Sequence, residues 1–358
     1  MPDLQPLNDW GWDEHYANSL AALEPGARAS PARVIGQDRD RWSVRLGAVV
    51  ATARLASASF DGPYPVTGDW VVVEPGPAPS DPLSLTAVLP RRSAISRGAP
   101  GTRLAEQVLA ANVDVVWILH ALDSPPNVRR LERYVAAAWE SGAVPQIVLT
   151  KADLVAAPEL VASEVAAVVI GVAVHTVSTR HPASIDELKG RLEPRRTYAL
   201  MGPSGAGKSS LLNALADAAL AATGEVREFD GKGRHTTTRR ELFRLSGGSL
   251  LMDTPGLREL RIWLVDDGLS QTFPEIAALA ASCRFRDCGH VSEPGCAVIA
   301  AVDKGALDPE RLASFHKLRA EAAYLERKFD PEANAAAVSR HKTAMKTLKY
   351  HPKYRRKD

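Results

Sequence analysis

The chain has 358 residues, enough for two or three domains, and its hydrophobic (45%) and charged (24%) fractions are ordinary for a folded protein. This composition excludes disorder over most of the chain, a collagen-like chain and a coiled-coil rod. The formal charge is only +2, yet the last 19 residues, Arg340–Asp358, hold eight basic side chains and one acidic one. A basic arm of this kind on a mildly acidic body usually contacts polyanions.

Targeting signals are not evident in the sequence. The N-terminal segment carries Asp3, Asp9, Asp13 and Glu14 and has no apolar region of the kind that a secretory signal needs. The longest apolar stretch, 165–174, is too short to span a bilayer. We therefore expect a cytoplasmic protein that has no membrane contact.

The N-terminal third of the chain predicts a small β-barrel. Residues 1–30 are polar and irregular, and we expect them to form a loosely attached extension. Residues 31–92 alternate short Val-rich runs with Gly and Pro clusters, which is typical of strands and turns. An OB-fold suits this pattern, and an SH3-like barrel fits almost as well. The predicted strands are Arg41–Leu46, Val49–Leu55, Asp69–Glu74 and Leu85–Leu89.

From Val113 onwards strands and helices alternate, which indicates a doubly wound α/β domain, and we assign residues 93–268 to it. The connector that leads into it, 91–112, is rich in arginine, and both a solvated linker and an RNA contact are open. Asn127 is expected to cap a helix that ends before Gly142. Strands are predicted near 113–122, 146–150, 172–177, 198–201 and 250–252, and further helices near 158–167, 185–192 and 209–221.

The C-terminal part turns helical after about residue 270. We divide it into a helical domain, 269–335, and a basic tail, 336–358. Pro309–Phe329 has apolar residues at helical spacing, and a last basic helix is predicted over 334–350. The tail mixes basic residues with two tyrosines, so a disordered tail and an RNA contact are both open.

A Walker A segment follows the predicted strand at 198–201 and precedes a predicted helix. Its backbone N–H groups and the helix N-terminus would bind phosphate oxygens. Lys208 would reach the β- and γ-phosphates, and the Ser209 hydroxyl would ligate Mg²⁺. The segment and the residue after it are Gly202, Pro203, Ser204, Gly205, Ala206, Gly207, Lys208, Ser209 and Ser210.

Two segments at the ends of other predicted strands favour guanine as the base. Thr150-Lys151-Ala152-Asp153 resembles the [NT]KxD motif, in which the carboxylate accepts two hydrogen bonds from guanine. Adenine cannot supply that pair of donors, so the discrimination is large. Lys151 would lie along the base. The next strand is followed by Ser178 and Thr179, which are expected near the guanine O6 atom.

A third segment, Asp253-Thr254-Pro255-Gly256, fits the DxxG motif of GTPases. Asp253 would hold Mg²⁺ through water, and the Gly256 N–H would contact the γ-phosphate. Thr236, Thr237 and Thr238 lie where a switch threonine closes on Mg²⁺ and the γ-phosphate, and Thr238 is the expected metal ligand.

The residue after the DxxG segment is Leu257, where many GTPases carry a glutamine that orients the attacking water. Intrinsic hydrolysis should therefore be slow. His235 is the candidate for positioning water, and an ordinary exposed loop histidine is an equally open interpretation.

The order of these motifs is unusual, because the base motifs precede the phosphate loop. A typical GTPase begins with the phosphate loop and ends with the base motifs. Cutting the chain elsewhere preserves the site, since its geometry depends on the sheet and not on the termini. We therefore predict a circularly permuted GTPase domain.

The three cysteines of the chain lie within 14 residues and share that segment with a histidine. Three thiolates and one imidazole complete the tetrahedral shell of a structural Zn²⁺ site and leave no open position. Free thiols near a surface histidine are the plainer alternative. The predicted ligands are Cys283, Cys288, His290 and Cys296.

The motif order and the stretch Cys288–Val298 resemble the ribosome small subunit-dependent GTPase A family, over about residues 8–330. Gly68-Asp69-Trp70 and Ala111-Asn112-Val113-Asp114 also look like that family. The resemblance implies an OB-fold, a permuted GTPase domain and a C-terminal zinc domain. It also implies late maturation of the small ribosomal subunit, contact with 16S rRNA and ribosome-stimulated GTP hydrolysis. Two departures are Thr150 in place of the commoner asparagine and a loose fit at Ser178-Thr179-Arg180.

The leading hypothesis is a GTP hydrolase that uses GTP/GDP, Mg²⁺ and one Zn²⁺, with the small subunit, 16S rRNA and other assembly factors as partners. We expect a monomer. The alternative is a nucleotide-regulated RNA-binding assembly factor with negligible turnover. A P-loop ATPase or small-molecule kinase is the third hypothesis.

Overall fold

The computed structural model describes residues 5–57, 60, 62–78, 80–98, 106–216, 240–253 and 266–329. The predicted basic helix and tail, His235, the switch threonines and Gly256 lie outside these residues. The fold divides into two compact units, Met1–Arg97 with Gln107–Leu260, and Gly98–Glu106 with Arg261–Asp358. The finer division into five segments stays a prediction.

The predicted barrel is present as a closed ring of five strands. The pairing order is β1-β2-β3-β5-β4, with β4 paired back to β1 and β3 parallel to β5. The closed ring confirms the predicted β-barrel, and its five strands are the number that an OB-fold has. The core is built from alternate inward residues, among them Val34, Trp42 and Val71. The strands are β1 (Ser30–Asp38), β2 (Arg41–Leu46), β3 (Val49–Leu55), β4 (Trp70–Glu74) and β5 (Leu83–Val88).

The N-terminal segment is packed onto the barrel, so the expectation of a loose extension was wrong. It forms two helices, α1 (Gln5–Asn8) and α2 (Glu14–Ala22), and Asp13 caps the second. Trp12 meets Trp70 edge to face, with ring centroids 4.8 Å apart. Burial of these large aromatic rings against each other holds the N-terminal segment on the barrel, although the segment is polar in composition.

The described parts of the arginine-rich connector, 91–98 and 106–112, contain regular structure. They contain two strands, β6 (Ala94–Gly98) and β7 (Glu106–Ala111), which pair with each other. Arg91 makes two hydrogen bonds to the buried carboxylate of Asp69, at 2.7 and 2.8 Å. Part of the basic charge in this segment thus forms an ion pair inside the fold, whereas the sequence left a solvated linker and an RNA contact open.

The α/β domain is a six-stranded sheet in the order β10-β9-β8-β11-β13-β12. All neighbours are parallel except β12, which runs antiparallel to β13. Helices α5 and α6 bury Leu188, Leu211 and Leu212 against Trp117 and Leu200 of the sheet. The strands are β8 (Val115–Ala121), β9 (Val144–Thr150), β10 (Ala173–Thr176), β11 (Thr197–Met201), β12 (Glu241–Arg244) and β13 (Leu250–Asp253). The helices are α3 (Val128–Glu140), α4 (Pro158–Val168), α5 (Pro182–Gly190) and α6 (Lys208–Ala216).

The barrel and the sheet join through a short segment that the resemblance had singled out. Strand β1 pairs with β12 at Gly36 and Glu241. Gly68 has a φ of +94°, and a Cβ there would lie 2.0 Å from the carbonyl oxygen of Ala111. The Asn112 amide donates to the Gly68 carbonyl at 3.0 Å. Only glycine allows this approach, which accounts for Gly68 and for the Asn112 side chain that bonds to it.

The second unit is helical around the cysteine loop. Arg311 donates to Glu275 at 2.6 Å and to the Thr272 carbonyl at 2.7 Å, and its guanidinium lies 4.2 Å from the Phe273 ring centroid. The buried Arg311 side chain thus links the long helix that carries it to the helices at 266–272 and 274–280. The helices are α7 (Asp266–Thr272), α8 (Pro274–Ala280), α9 (Ala297–Asp303) and α10 (Pro309–Phe329). Over the described residues, no helix combines the length and apolarity that crossing a membrane requires.

Candidate nucleotide-binding site and metal centre

Four neighbouring parallel strands bring the sequence motifs to one edge of the sheet. Strand β9 ends at Thr150, β11 ends at Met201 just before the phosphate loop, and β13 ends at Asp253. Strand β8 lies between β9 and β11. Parallel sheets bind ligands beyond the carboxyl ends of their strands. Segments about 100 residues apart in the chain are therefore placed on the same edge.

Three glycines of the phosphate loop adopt positive φ angles, a backbone conformation that favours glycine. Gly202, Gly205 and Gly207 have φ values of +151°, +78° and +85°. A Cβ on Gly202 would lie 2.6 Å from the Leu119 carbonyl oxygen. Helix α6 begins directly at Lys208, so its N-terminal N–H groups face the loop. The Lys208 ammonium donates to the carbonyls of Gly202 and Pro203, at 2.8 and 2.6 Å, and lies inside the loop curve.

Thr150 ties the base motif to the phosphate loop. Its hydroxyl donates to the Ala206 carbonyl at 2.8 Å and lies 3.4 Å from the His120 carbonyl. A Cβ on Gly207 would come within 3.3 Å of the same hydroxyl. A threonine thus makes a direct link between the two loops, in the place where asparagine is commoner.

Asp153 is held ready as a hydrogen-bond acceptor. Ser178 donates to its Oδ1 atom at 2.5 Å, and Arg180 donates to its Oδ2 atom at 3.2 Å. The hydrogen bond from Ser178 is the main reason why the pKa of Asp153 lies below its usual value. The lowered pKa means that the carboxylate is ionised at neutral pH. Its side chain is 13% exposed, so a ligand in solution can reach it.

Lys151 has a partner that sequence reasoning missed. Its ammonium lies 2.5 Å from Oδ2 of Asp123, a residue just beyond the end of β8. Lys151 also adopts a left-handed backbone, with a φ of +55°. The signal for Asp123 was present in the sequence, since it follows a buried strand in the same way as the other motif residues do.

The base motif and the phosphate loop share one cavity of about 200 Å³. The residues of its wall come from the base motif, from the segment after β10, and from the phosphate loop and α6. Its lining residues are Thr150, Lys151, Asp153, Leu154, Val177, Thr179, Arg180, Gly207, Ser210 and Leu211. Ser178, although it is not on this wall, holds Asp153 from behind. The cavity is compatible with a planar base beside a phosphate chain.

The cysteine loop brings its four predicted ligands together. Their ligand atoms all lie within 4.8 Å of one another. The Cys283 and Cys296 sulfurs are 3.8 Å apart, and the His290 Nδ1 atom lies 3.6 and 3.4 Å from them. A tetrahedral zinc with bonds of about 2.3 Å to sulfur and 2.0 Å to nitrogen requires edges of about 3.8 and 3.5 Å. The spacing therefore fits Zn²⁺.

Glu293 organises the backbone of that loop. Its carboxylate accepts from the N–H groups of Gly289, Val291 and Ser292 at 2.7 to 3.0 Å. These hydrogen bonds lower the pKa of Glu293 to about 2. Cys296 caps helix α9, since its sulfur accepts from the Ile299 N–H. The hydrogen bonds of Glu293 and the helix cap of Cys296 thus fix the loop that carries the four ligands.

A phosphate loop and a base motif on one parallel sheet, with the base motif earlier in the chain, define a circularly permuted P-loop GTPase. The family model described as RsgA GTPase matches residues 88–263. Because relatives named RsgA are also more than 40% identical over 94% of the chain, the chain belongs to this family, and it is a GTP hydrolase by class. The family match thus supports the predicted enzyme class and its guanine nucleotide.

Relatives match over nearly the whole chain. The "Small ribosomal subunit biogenesis GTPase RsgA" of Opitutus terrae is 44% identical over 351 residues, covering 94% of this chain and 95% of that protein. The protein of the same name from Streptomyces coelicolor is 42% identical over 341 residues, with 94% and 92% covered.

Two solved structures share the fold. The circularly permuted GTPase YloQ has a TM-score of 0.62 at 23% identity, covering 83% of this chain and 96% of that one. YjeQ from Thermotoga maritima gives the same TM-score and identity, with 82% and 98% covered. These two likenesses confirm the architecture, including the permutation.

Proposed function

We propose that the chain is a GTPase that acts in biogenesis of the small ribosomal subunit, binds rRNA and hydrolyses GTP faster when it is bound to the subunit. The single observation that carries the nucleotide part is the shared cavity between Asp153 and the phosphate loop. The biological role rests on relatives whose names describe small-subunit biogenesis. The cytoplasmic location and the monomeric state stay predictions.

In this proposal each strand end has one task. Asp153 accepts hydrogen bonds from guanine while Ser178 holds its carboxylate, Lys151 lies along the base, and Thr179 approaches O6. Lys208 and the loop N–H groups neutralise the phosphates. Ser209, Asp253 and Thr238 serve Mg²⁺, while Thr237 and Gly256 approach the γ-phosphate. The remaining phosphate-loop contacts come from Gly202, Pro203, Ser204, Gly205, Ala206, Gly207 and Ser210.

Slow intrinsic turnover is part of the proposal. Leu257 has no polar group that could orient water, and His235 is proposed to take that task from its place beside the threonines. A GTPase that lacks its own water-positioning group gains rate when a partner completes the site. The ribosomal subunit would then control the time at which GTP is hydrolysed.

The test is GTP turnover by the full chain, measured with and without purified small ribosomal subunits. We expect the small subunit to raise turnover by at least about tenfold, a modest value for completion of a GTPase site. Purified large subunits are the control, because they offer similar RNA at similar charge. Equal turnover in all three samples would contradict the stimulated mechanism.

A Lys208→Ala variant separates this proposal from the alternative of an RNA-binding factor with negligible turnover. Loss of turnover and of cellular function, with subunit binding kept, supports the enzyme. Full complementation by the variant in cells that lack the wild-type protein would favour the binding factor.

A further inference from the structure

The cysteine loop, residues 283–296, exposes an aromatic side chain to solvent between two arginines. Phe285 is 41% exposed and lies between Cys283 and Cys288, and Arg284 and Arg286 beside it are exposed as well. Val291, directly after the ligand His290, is 72% exposed. A single exposed apolar side chain needs no explanation, but this group combines apolar surface with two cations on one short loop.

The loop is held rigidly in this shape. Arg284 donates its backbone N–H to the Gly295 carbonyl at 3.2 Å. Gly295 has a φ of +78°, and a Cβ there would lie 3.1 Å from the Cβ of Arg284. Glu293 fixes the opposite side of the loop through its three N–H contacts. A surface that is ordered before binding loses little entropy when a partner binds.

The chemistry of the loop selects among partners. The Arg284 guanidinium carbon lies 5.4 Å from the Phe285 ring centroid, so the ring has a cation beside it. Proteins hold unpaired nucleobases by stacking them on aromatic rings and hold the adjacent phosphates with arginine. An acidic peptide would satisfy the arginines and leave the ring without a stacking partner.

We propose that Phe285 stacks on an unpaired nucleobase of RNA, while Arg284 and Arg286 contact neighbouring phosphates. This inference rests on the proposed rRNA binding and assigns one contact surface to it. Base stacking requires the π face of an aromatic ring, whereas a contact with an aliphatic protein surface depends mainly on the apolar area buried. That difference provides the test.

The experiment compares the full chain with its Phe285→Ala, Phe285→Trp and Phe285→Leu variants, each with its zinc content verified. Binding to purified small subunits and to a fluorescein-labelled single-stranded RNA of mixed sequence is measured at several salt concentrations. We expect alanine to weaken binding by about 5- to 150-fold, tryptophan to restore it and leucine not to restore it. Leu160→Ala, at an apolar residue of helix α4 that is 66% exposed, is the control and should bind like wild type.

Arg284→Ala should lower the slope of log affinity against log salt by about one. The inference is overturned if Phe285→Ala binds as tightly as wild type. It is also overturned if leucine restores binding to subunits as well as tryptophan does, since the surface would then contact a protein. A wild-type chain that binds neither subunits nor RNA would instead overturn the proposed rRNA binding, and this inference with it.

Discussion

At the scale of single residues, base selection depends on the charge of Asp153. Its two oxygens accept from Ser178 and Arg180, and the hydrogen bonds keep it ionised. Because the pKa of this carboxyl lies below its usual value, the carboxylate is ionised at and above that usual value, and its charge is lost only as the pH falls through the lowered pKa. Nucleotide binding near neutral pH should therefore not vary through this group.

An Asp153→Asn variant should exchange guanine for xanthine. The amide presents one donor and one acceptor, which match xanthine and leave a guanine donor unpaired. We expect the affinity for GDP to fall by about 100-fold or more and the affinity for xanthosine diphosphate to rise, measured by titration with labelled nucleotides. Asp186→Asn, at an exposed position on helix α5, is the control of equal charge change. An unaltered preference would refute the assignment of the base pocket.

At the scale of elements, the sequence predicted best where local pattern and final environment agree. Strands β2 and β3 and helix α10 have the predicted ends. Strand β1 was missed, because Pro31 and Gly36 weaken its local signal, and it is stabilised by pairing with β2, β4 and β12. Strand β12 has only four residues and depends on β13. Such pairings join residues distant in sequence, so a local pattern does not contain them.

The candidate site was more predictable than the strands. Each motif residue from Thr150 to Asp253 that the structure describes lies at the expected edge of the sheet. Phosphate and base recognition demand fixed residue types at fixed spacing, and this leaves a strong mark in the sequence. The partners that hold those residues, such as Asp123 for Lys151, are chosen by proximity in space and leave a weaker one.

For the cysteine loop, removal of one ligand should cause loss of zinc and lower the thermal stability of the chain. Cys288 is one of four ligands in the cluster, and a serine hydroxyl is a poor zinc ligand. We expect Cys288→Ser to lose the single zinc ion, measured by elemental analysis of the purified chain. The helical signal of the second unit should then melt at lower temperature, because structural zinc supplies folding free energy. Ser292→Ala, in the same loop, should keep its zinc, and a full zinc content in Cys288→Ser would disprove the assignment.

At the scale of the whole first unit, one buried arginine joins the N-terminal segment, the barrel and the α/β sheet. Arg33 on β1 is 2% exposed, and its guanidinium donates to the carbonyls of Trp10 and Asn112, each at 3.1 Å. It also contacts the Thr197 hydroxyl at 3.3 Å, at the start of the strand that leads to the phosphate loop. Burial lowers the pKa of Arg33 below its usual value, yet it stays charged at neutral pH.

The Arg33 contacts predict that the barrel and the sheet unfold together. Replacing Arg33 with methionine keeps much of its apolar stem above Trp70 but leaves the Trp10 and Asn112 carbonyls without this donor. A buried acceptor that loses its partner costs about 1–3 kcal/mol, so we expect Arg33→Met to lower the free energy of unfolding by about 2–4 kcal/mol. The measurement is urea unfolding followed by tryptophan fluorescence, which reports on the rings around Arg33. Arg41→Met, at an exposed position on β2, is the control and should change stability by less than about 0.5 kcal/mol. Equal midpoints for Arg33→Met and wild type would show that the barrel is held to the sheet by other contacts, such as the Gly68 and Asn112 segment.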